Sequence, residues 1–275
     1  MNPKGMTRQM RIKTKLSRKE VSLGSWITLG HPGIGEIMAS CGFDWLTIDM
    51  EHSAITLAEC QNLVQVIELA GCSPLVRVGE NDPNLIKRVM DTGAHGVIVP
   101  QVNSQKEALQ AVKSVKYPPE GERGVGLARA QGYGTSFDEY RRWNEQESIV
   151  IVQIEHREAV RHLKEILSVQ GVDGFIVGPY DLSASLGFPG EFSRPAFLRA
   201  MERIHRLAGD VPGVAPGFHV VQPDPSEVER KVEEGYRFIA YSLDTLLLAG
   251  TCLRDLKTIG GGERMPRRFI KEPAP

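Results

Sequence analysis

Short runs of apolar residues alternate along the chain with longer segments whose apolar positions recur at helical spacing. Runs of this length, bounded by glycine, proline or charged residues, are typical of buried parallel strands. Strands are predicted near residues 22–29, 45–49, 74–78, 96–100, 149–155, 174–178, 214–220 and 238–242. Helices are predicted near residues 33–39, 57–69, 83–90, 105–115, 157–167, 195–208, 225–234 and 245–257. Eight strand–helix pairs in this order predict an α/β fold, the (β/α)8 TIM barrel.

The length of 275 residues suits one such barrel, which typically takes about 250 residues. We predict a single barrel domain over residues 21–258, preceded by a basic N-terminal extension over residues 1–20 and followed by a flexible tail over residues 259–275. One connection, over residues 116–148, is longer than the others and rich in Gly, Arg and Tyr. We expect it to lie over the mouth of the barrel, as long functional loops of such barrels do.

Composition and net charge narrow the class of molecule that the protein is expected to bind. The net charge of −1 favours neither nucleic acid nor an anionic membrane, so small molecules are the expected partners. No apolar run approaches the roughly 20 residues of a membrane span, and the first 20 residues lack a secretory signal. The four cysteines show no metal-binding spacing and are expected to be small buried side chains in a reducing compartment, which predicts a cytoplasmic protein.

Charged side chains stand at the ends of several predicted strands. Asp49, Glu51 and His52 follow the second strand, and Arg77 ends the third. Glu155 ends the fifth strand, and Asp181 follows the sixth. Because the C-terminal ends of parallel strands meet at one face of a barrel, these residues predict a single active site.

Two carboxylates at a barrel mouth, Glu155 and Asp181, suit a hard divalent cation with positions left for substrate and water. The alternative is that Glu155 pairs with Arg157 or His156 while Asp181 caps the turn that follows it.

The other charged groups have alternatives as well. Arg77 ends an apolar strand and needs an anionic partner, either a ligand or a structural salt bridge to Asp49 or Glu51. His52 has a side chain suited to proton transfer near neutral pH, but a histidine in a loop is also a common surface or capping group. His219 lies near the end of the seventh predicted strand and is expected at the mouth.

An ordered set of short motifs resembles the HpcH/HpaI aldolase family, whose members are metal-dependent pyruvate aldolases on a barrel of the pyruvate/phosphoenolpyruvate-binding type. The resemblance spans residues 23–255. The motifs are GFDW at 42–45, DMEH at 49–52, RV at 77–78, NDP at 81–83, YPP at 117–119, RGVG at 123–126, VQIE at 152–155, GVDG at 171–174 and GPYDLS at 178–183.

The resemblance implies roles for individual residues. Glu155 and Asp181 match the positions that hold Mg²⁺ or Mn²⁺, with Co²⁺ or Zn²⁺ as further choices. Arg77 matches the group that acts on the enolate oxygen of pyruvate, and His52 matches the base, which acts through a metal-bound water. Asp91 matches a residue that raises the basicity of this histidine. Its alternative role is that of a polar residue at a helix end.

The resemblance also implies a substrate pocket. Gln153, which shares a strand face with Glu155, matches a substrate contact. Gly178, Pro179 and Tyr180 match the segment beside the carboxylate of the substrate, with the N–H groups of Gly178 and Tyr180 as expected donors. Tyr180 is larger than the residue that many relatives have there, which leaves the pocket's size and preferred aldehyde open.

The expected reaction is cleavage of a 4-hydroxy-2-oxo acid to pyruvate and an aldehyde, or the reverse condensation. A related enolate-forming lyase or a citrate-synthase-like condensing enzyme is the first alternative, and a non-catalytic barrel that binds an oxo acid is the second. No predicted strand ends on the lysine that a Schiff-base aldolase needs. The apolar helix that begins near residue 245 indicates burial against a neighbour, and the resemblance implies a homo-oligomer, a hexamer with exchanged terminal helices.

Overall fold

Eight parallel strands form a closed barrel in the part of the chain that the computed structural model describes, residues 12–209 and 211–259. The strands are β1 (Ser22–Ile27), β2 (Trp45–Asp49), β3 (Ser73–Arg77), β4 (Gly96–Val99), β5 (Ile149–Ile154), β6 (Gly174–Val177), β7 (Ala215–Val220) and β8 (Phe238–Leu243). Each strand pairs with its sequence neighbours, and β1 pairs with β8 to close the sheet. The predicted (β/α)8 TIM barrel is confirmed.

Twelve α-helices accompany the strands among the described residues. They are α1 (Ile12–Ser17), α2 (Pro32–Ala39), α3 (Leu57–Leu69), α4 (Pro83–Asp91), α5 (Gln105–Val115), α6 (Phe137–Glu147), α7 (Arg157–Arg161), α8 (Leu163–Leu167), α9 (Pro179–Ser185), α10 (Pro195–Gly209), α11 (Pro225–Glu233) and α12 (Asp244–Ile259). The predicted helices are all present, but the one expected over 157–167 is divided into α7 and α8 at His162, whose φ of −100° and ψ of 18° leave the helical region. Helices α1, α6 and α9 were not predicted.

The barrel interior is packed with large side chains. The rings of Trp45 and Phe238 stack at 4.2 Å between centroids, and Gly24 leaves room for the Trp45 ring, because a Cβ at that position would lie 2.0 Å from it. Ile12 and Leu16 of α1 are buried in the same cluster. The helix therefore fills one end of the barrel, and the predicted basic extension is partly core.

The charges of this helix are also used structurally. The ammonium groups of Lys13 and Lys15 each lie 2.6 Å from a carboxylate of the barrel, that of Asp173 and that of Asp44. Residues 1–11 and 260–275, which hold the rest of the predicted extension and nearly all of the predicted tail, lie outside the described residues. The division of the chain into three parts stays a prediction.

The long connection over residues 116–148 was expected at the mouth of the barrel, and this prediction was wrong. It follows helix α5 and leads into β5, and helices in this fold run antiparallel to the strands. The connection therefore lies at the N-terminal end of the barrel, where it contains a 3-10 helix (Arg129–Gly134) and α6. The ammonium group of Lys116 donates to the carbonyl oxygens of Asn144 at 2.7 Å and Glu145 at 2.9 Å, which ties the connection to α6.

Two of the four cysteines are buried and two are exposed. Cys60 and Cys72 are buried, as predicted, whereas Cys41 and Cys252 are exposed, which corrects the expectation for those two residues. Cys41 lies two residues after the end of α2, and Cys252 lies on α12, so neighbouring apolar residues in the sequence did not imply a buried position. Within the described residues, no helix combines the length and the apolar character needed to cross a bilayer.

Candidate active site

A cavity of about 170 Å³ opens at the C-terminal ends of the strands. Seven of the predicted site residues line it, drawn from several strand ends as the fold requires. The lining residues are Trp26, His52, Arg77, Gln153, Ile176, Val177, Gly178, Pro179, Tyr180, Asp181, His219 and Val221. Of the other two predicted site residues, Glu155 lies directly behind the lining and Asp91 lies elsewhere.

Arg77 is held by two acidic partners. Its Nε and Nη2 atoms donate to the two oxygens of Asp49 at 2.9 and 2.5 Å, and its Nη1 lies 3.2 Å from Oε2 of Glu51. The guanidinium also lies over the ring of Trp26, 4.5 Å from its centroid. The predicted structural salt bridge is therefore present, with both candidate partners, and it fixes the orientation of the cation.

Asp49 is placed to hold the guanidinium group of Arg77 rather than to react. Burial opposes its ionisation, but the hydrogen bonds and charge of Arg77 outweigh it, so the pKa of Asp49 is lowered. The N–H groups of Glu51 and His52 also donate to Oδ1 of Asp49, at 3.0 and 3.2 Å. The strand end and the loop after it are thus organised around one carboxylate.

Glu51 carries a negative charge that the site compensates only in part. Burial raises its pKa to about 7, and the charges of Glu155, Asp49 and Asp181 add to the rise while Arg77 opposes it. Its Oε2 atom is buried and accepts no hydrogen bond among the described residues, because the contact with Nη1 of Arg77 at 3.2 Å is an ion pair without hydrogen-bond geometry. The site therefore carries more negative charge than Arg77 compensates.

Glu155 is 2% exposed and is held from both sides. Its Oε1 accepts the N–H of Gln101 at 2.7 Å, and its Oε2 accepts from the side-chain amide of Gln153. Burial raises the pKa of Glu155, and the nearby Asp181 contributes to the rise. Arg157, the alternative partner, instead lies 3.8 Å from a carboxylate oxygen of Glu158.

These observations fit a divalent cation. The charges of Glu155 and Asp181 raise the pKa of Glu51, and the charge of Asp181 raises the pKa of Glu155, so a cation near these carboxylates would relieve the repulsion. Asp181 lies in the first turn of α9 instead of capping it, and its exposed carboxylate lines the cavity. Within the described ranges, no group of three or more His, Cys, Asp or Glu residues has metal-binding geometry. With Glu155 and Asp181 as the protein ligands, substrate and water would fill the other coordination positions of the cation.

His52 stands at the exposed side of the cavity. Its side chain is 62% exposed, and its Nε2 lies 3.8 Å from Oε2 of Glu51. The ring is therefore accessible to solvent and close enough to an acid to be oriented by it.

Asp91 does not reach His52 within one chain. It ends α4, at the opposite end of the barrel from the loop after β2 that carries His52. Its Oδ1 accepts from Nη2 of Arg123 at 2.5 Å and from the amide of Gln131 at 3.1 Å. Within one chain Asp91 therefore does not support His52, because a residue that ends a helix and one that follows a strand lie at opposite ends of the barrel, and the role that the resemblance implies for Asp91 stays a prediction.

The predicted backbone cradle is also corrected in part. The N–H of Gly178 donates to the carbonyl oxygen of Ile154 at 3.3 Å, so the sheet uses it. The glycine has a steric role instead, because a Cβ there would lie 3.1 Å from Oε2 of Glu155 and 3.2 Å from the side-chain nitrogen of Gln153. Tyr180 is the second residue of α9, and its ring packs edge-on against Phe192 at 5.0 Å between centroids.

Two residues of the site were not singled out from the sequence. Trp26 is the last inward-facing residue of β1, so the strand periodicity could have indicated it. Gln101 follows β4 with a φ of 53°, a strained value for a residue other than glycine, and only the fold reveals that its N–H holds Glu155. His219, expected at the mouth, does line the cavity.

Comparisons with known proteins identify the family of this chain. The sequence profile described as HpcH/HpaI aldolase/citrate lyase matches residues 22–250. The chain is similar to a 2-keto-3-deoxy-L-rhamnonate aldolase of Escherichia coli K12, with 36% identity over 93% of this chain and 95% of the relative. Two solved structures are also similar. An HpcH/HpaI aldolase/citrate lyase family protein from Burkholderia cenocepacia J2315 has a TM-score of 0.85 and 33% identity, over 90% of this chain and 98% of that one. An HpcH/HpaI aldolase from Desulfitobacterium hafniense DCB-2 has a TM-score of 0.83 and 35% identity, over 94% and 98%.

The profile match covers most of the chain, and the relatives are matched over nearly their full length. The resemblance inferred from the short motifs is thereby confirmed. The chain belongs to the HpcH/HpaI aldolase/citrate lyase family and is an enzyme of the carbon–carbon lyase class.

Proposed function

We propose that this enzyme cleaves a 4-hydroxy-2-oxo acid to pyruvate and an aldehyde, and catalyses the reverse condensation, with the help of a divalent cation. The observation that carries the proposal is the cavity lined by Arg77 and Asp181, with the carboxylates of Glu51 and Glu155 close behind its lining. A family relative with 36% identity acts as an aldolase on 2-keto-3-deoxy-L-rhamnonate, which supports the same class of reaction here.

Glu155 and Asp181 would hold the cation, with Mg²⁺ or Mn²⁺ expected from their all-oxygen character. A bound cation supplies Lewis acidity at the oxygens of the oxo acid, which favours the enolate over the ketone. The hydrogen bonds from Gln101 and Gln153 keep the Glu155 carboxylate in place for this role.

The chain's own residues do the remaining work. Asp49 fixes Arg77 so that its guanidinium faces the cavity, where it stabilises negative charge on the enolate oxygen of pyruvate. In cleavage, His52 takes the proton of the C4 hydroxyl as the C3–C4 bond breaks and gives a proton to C3 of the enolate, and in condensation it takes that proton from C3 of pyruvate. Gln153 binds the oxo acid beside Glu155. No lysine lines the cavity among the described residues, so the chain's own groups there support enolate formation rather than a Schiff base.

Proton exchange at the methyl group of pyruvate tests this proposal without knowledge of the aldehyde. In D₂O with Mg²⁺ or Mn²⁺, the enzyme is expected to exchange these protons, and excess chelator is expected to stop the exchange, as followed by NMR. Glu155→Gln and Asp181→Asn should weaken metal binding measured by calorimetry, whereas Glu158→Gln, on the surface of α7, serves as the control. Full exchange in excess chelator would refute the metal dependence.

Metal binding is expected to release a proton from Glu51. Because the pKa of Glu51 in the metal-free protein is about 7, this acid is largely protonated at pH 6 and largely ionised at pH 8. A nearby cation favours the ionised form, so Mn²⁺ binding should release close to one proton at pH 6 and less at pH 8. Calorimetry in buffers of different ionisation enthalpy measures this number. Glu51→Gln should lose the extra release at pH 6; the same pH dependence in that variant would contradict the assignment.

We further propose that the enzyme forms a homo-oligomer, expected to be a hexamer, with α12 at an interface. This helix exposes apolar side chains to the outside of the chain, namely Leu248, Leu253, Leu256 and Ile259. The implied action of Asp91 on His52 would then take place between subunits.

Light scattering should give a mass several times the 30.4 kDa of one chain. The double change Leu253→Glu and Leu256→Glu should reduce the mass, unlike Leu69→Glu on α3, and a monomeric wild-type protein would contradict the proposal.

A further inference from the structure

A second, larger cavity adjoins the catalytic one. It has a volume of about 710 Å³ and lies between α10, α11 and the end of β7. Pro179, Tyr180, His219 and Val221 line both cavities, so the two spaces meet at these residues. If the pyruvyl half of the substrate lies between Arg77 and Asp181, the larger cavity offers room for the aldehyde half beyond this junction.

His219 presents a hydrogen-bond acceptor at the junction. Its Nε2 lies 3.3 Å from the carbonyl oxygen of Ser242 on β8. A carbonyl oxygen only accepts, so the proton must be on Nε2, and Nδ1 of the neutral ring is left as an acceptor. No hydrogen bond to Nδ1 is present among the described residues. The ring packs against Trp26 at 5.3 Å between centroids, which limits its freedom to turn.

The charge state of the ring supports this arrangement. Burial and the charge of Arg77 lower the pKa of His219 to about 4, whereas the hydrogen bond to Ser242 and the charge of Asp49 oppose the shift. Other titratable groups line the larger cavity, among them Glu202, His205, Glu227 and Lys231. The imidazole is therefore neutral near pH 7, and Nδ1 accepts a hydrogen bond instead of donating one.

We infer that His219 is a specificity-determining residue that accepts a hydrogen bond from a hydroxyl group of the aldehyde half, so that the enzyme selects hydroxylated aldehydes. This inference rests on the proposed function. An aldehyde without a hydroxyl would leave Nδ1 unpaired when it displaces water from the junction, and an unpaired buried polar group opposes binding. A carboxylate in the same place would bring no donor for Nδ1 at all.

Lactaldehyde and propionaldehyde, which differ by one hydroxyl on the carbon next to the carbonyl, test the inference. In condensation with pyruvate, the wild-type enzyme is expected to favour lactaldehyde in kcat/KM by roughly tenfold or more, the net effect of one hydrogen bond and its unpaired alternative. His219→Phe keeps a flat ring against Trp26 but removes the acceptor, so the ratio should fall towards one. His219→Gln restores an acceptor and should recover part of the preference.

The outcomes separate the inference from the proposed function. A wild-type enzyme that exchanges the methyl protons of pyruvate but does not distinguish the two aldehydes would overturn the inference alone. So would a His219→Phe variant that folds, as judged by its thermal unfolding, and keeps the wild-type ratio. A wild-type enzyme that shows no exchange with any of the expected metals would overturn both.

Discussion

Replacing Arg77 with lysine is expected to lower kcat/KM by about 10²–10³, the usual effect of removing a preorganised donor from a developing anion. The guanidinium uses Nε and Nη2 to hold Asp49, which leaves Nη1 on the side of Glu51 and the cavity. A lysine ammonium is a compact charge and cannot hold Asp49 with two parallel bonds while it also faces the enolate oxygen. Cleavage rates measured at saturating metal check this expectation.

Arg199→Lys, on an exposed position of α10, is the matched control and should keep the wild-type rate. The stability of Arg77→Lys should also be measured, because Asp49 is buried and loses its best partner. Near-normal turnover in Arg77→Lys would restrict Arg77 to the structural role that its salt bridges already give it.

Replacing His52 with alanine is expected to slow methyl-proton exchange in pyruvate by about 10²–10⁴, the range for loss of a general base. Metal binding should survive in this variant, because Glu155 and Asp181 come from other strand ends and are held by their own contacts. NMR measures the exchange across a pH series, and calorimetry with Mn²⁺ measures the affinity.

His162→Ala is the control for this change, since His162 lies on the outside of the barrel between α7 and α8. Exchange that is unaltered in His52→Ala would remove His52 as the base. Loss of metal binding together with exchange would instead show that His52 belongs to the metal site.

The barrel and the convergence of the site were predictable because both follow from local pattern. Apolar runs that stop on Asp49, Arg77 and Glu155 can only be strands whose ends are polar, and parallel strands bring those ends to one face. The motifs then indicated the family, which the comparisons show. The catalytic roles of the individual residues remain proposals.

The sequence pattern did not show at which end of the barrel a residue or a loop lies when that position depends on where a helix ends. The resemblance links Asp91 to His52, but within one chain α4 carries Asp91 to the opposite end of the barrel, where it pairs with Arg123. The connection over residues 116–148 was misplaced for the same reason. Periodicity shows which face of an element is buried, but not to which end of the barrel a loop returns unless the order of strand and helix is followed through.

The sequence by itself determined the barrel, the identity of the charged residues at its mouth and the pocket-lining glycine, Gly178, because spacing and side-chain chemistry are local properties. The tertiary structure alone decided that Arg77 has two acidic partners, that the N–H of Gln101 holds Glu155, and that Nε2 of His219 faces the carbonyl oxygen of Ser242. Each of these contacts joins different strands or the loops that follow them. They depend on register and on burial in the folded barrel, and a side chain's neighbours across the sheet leave no trace in the order of residues along the chain.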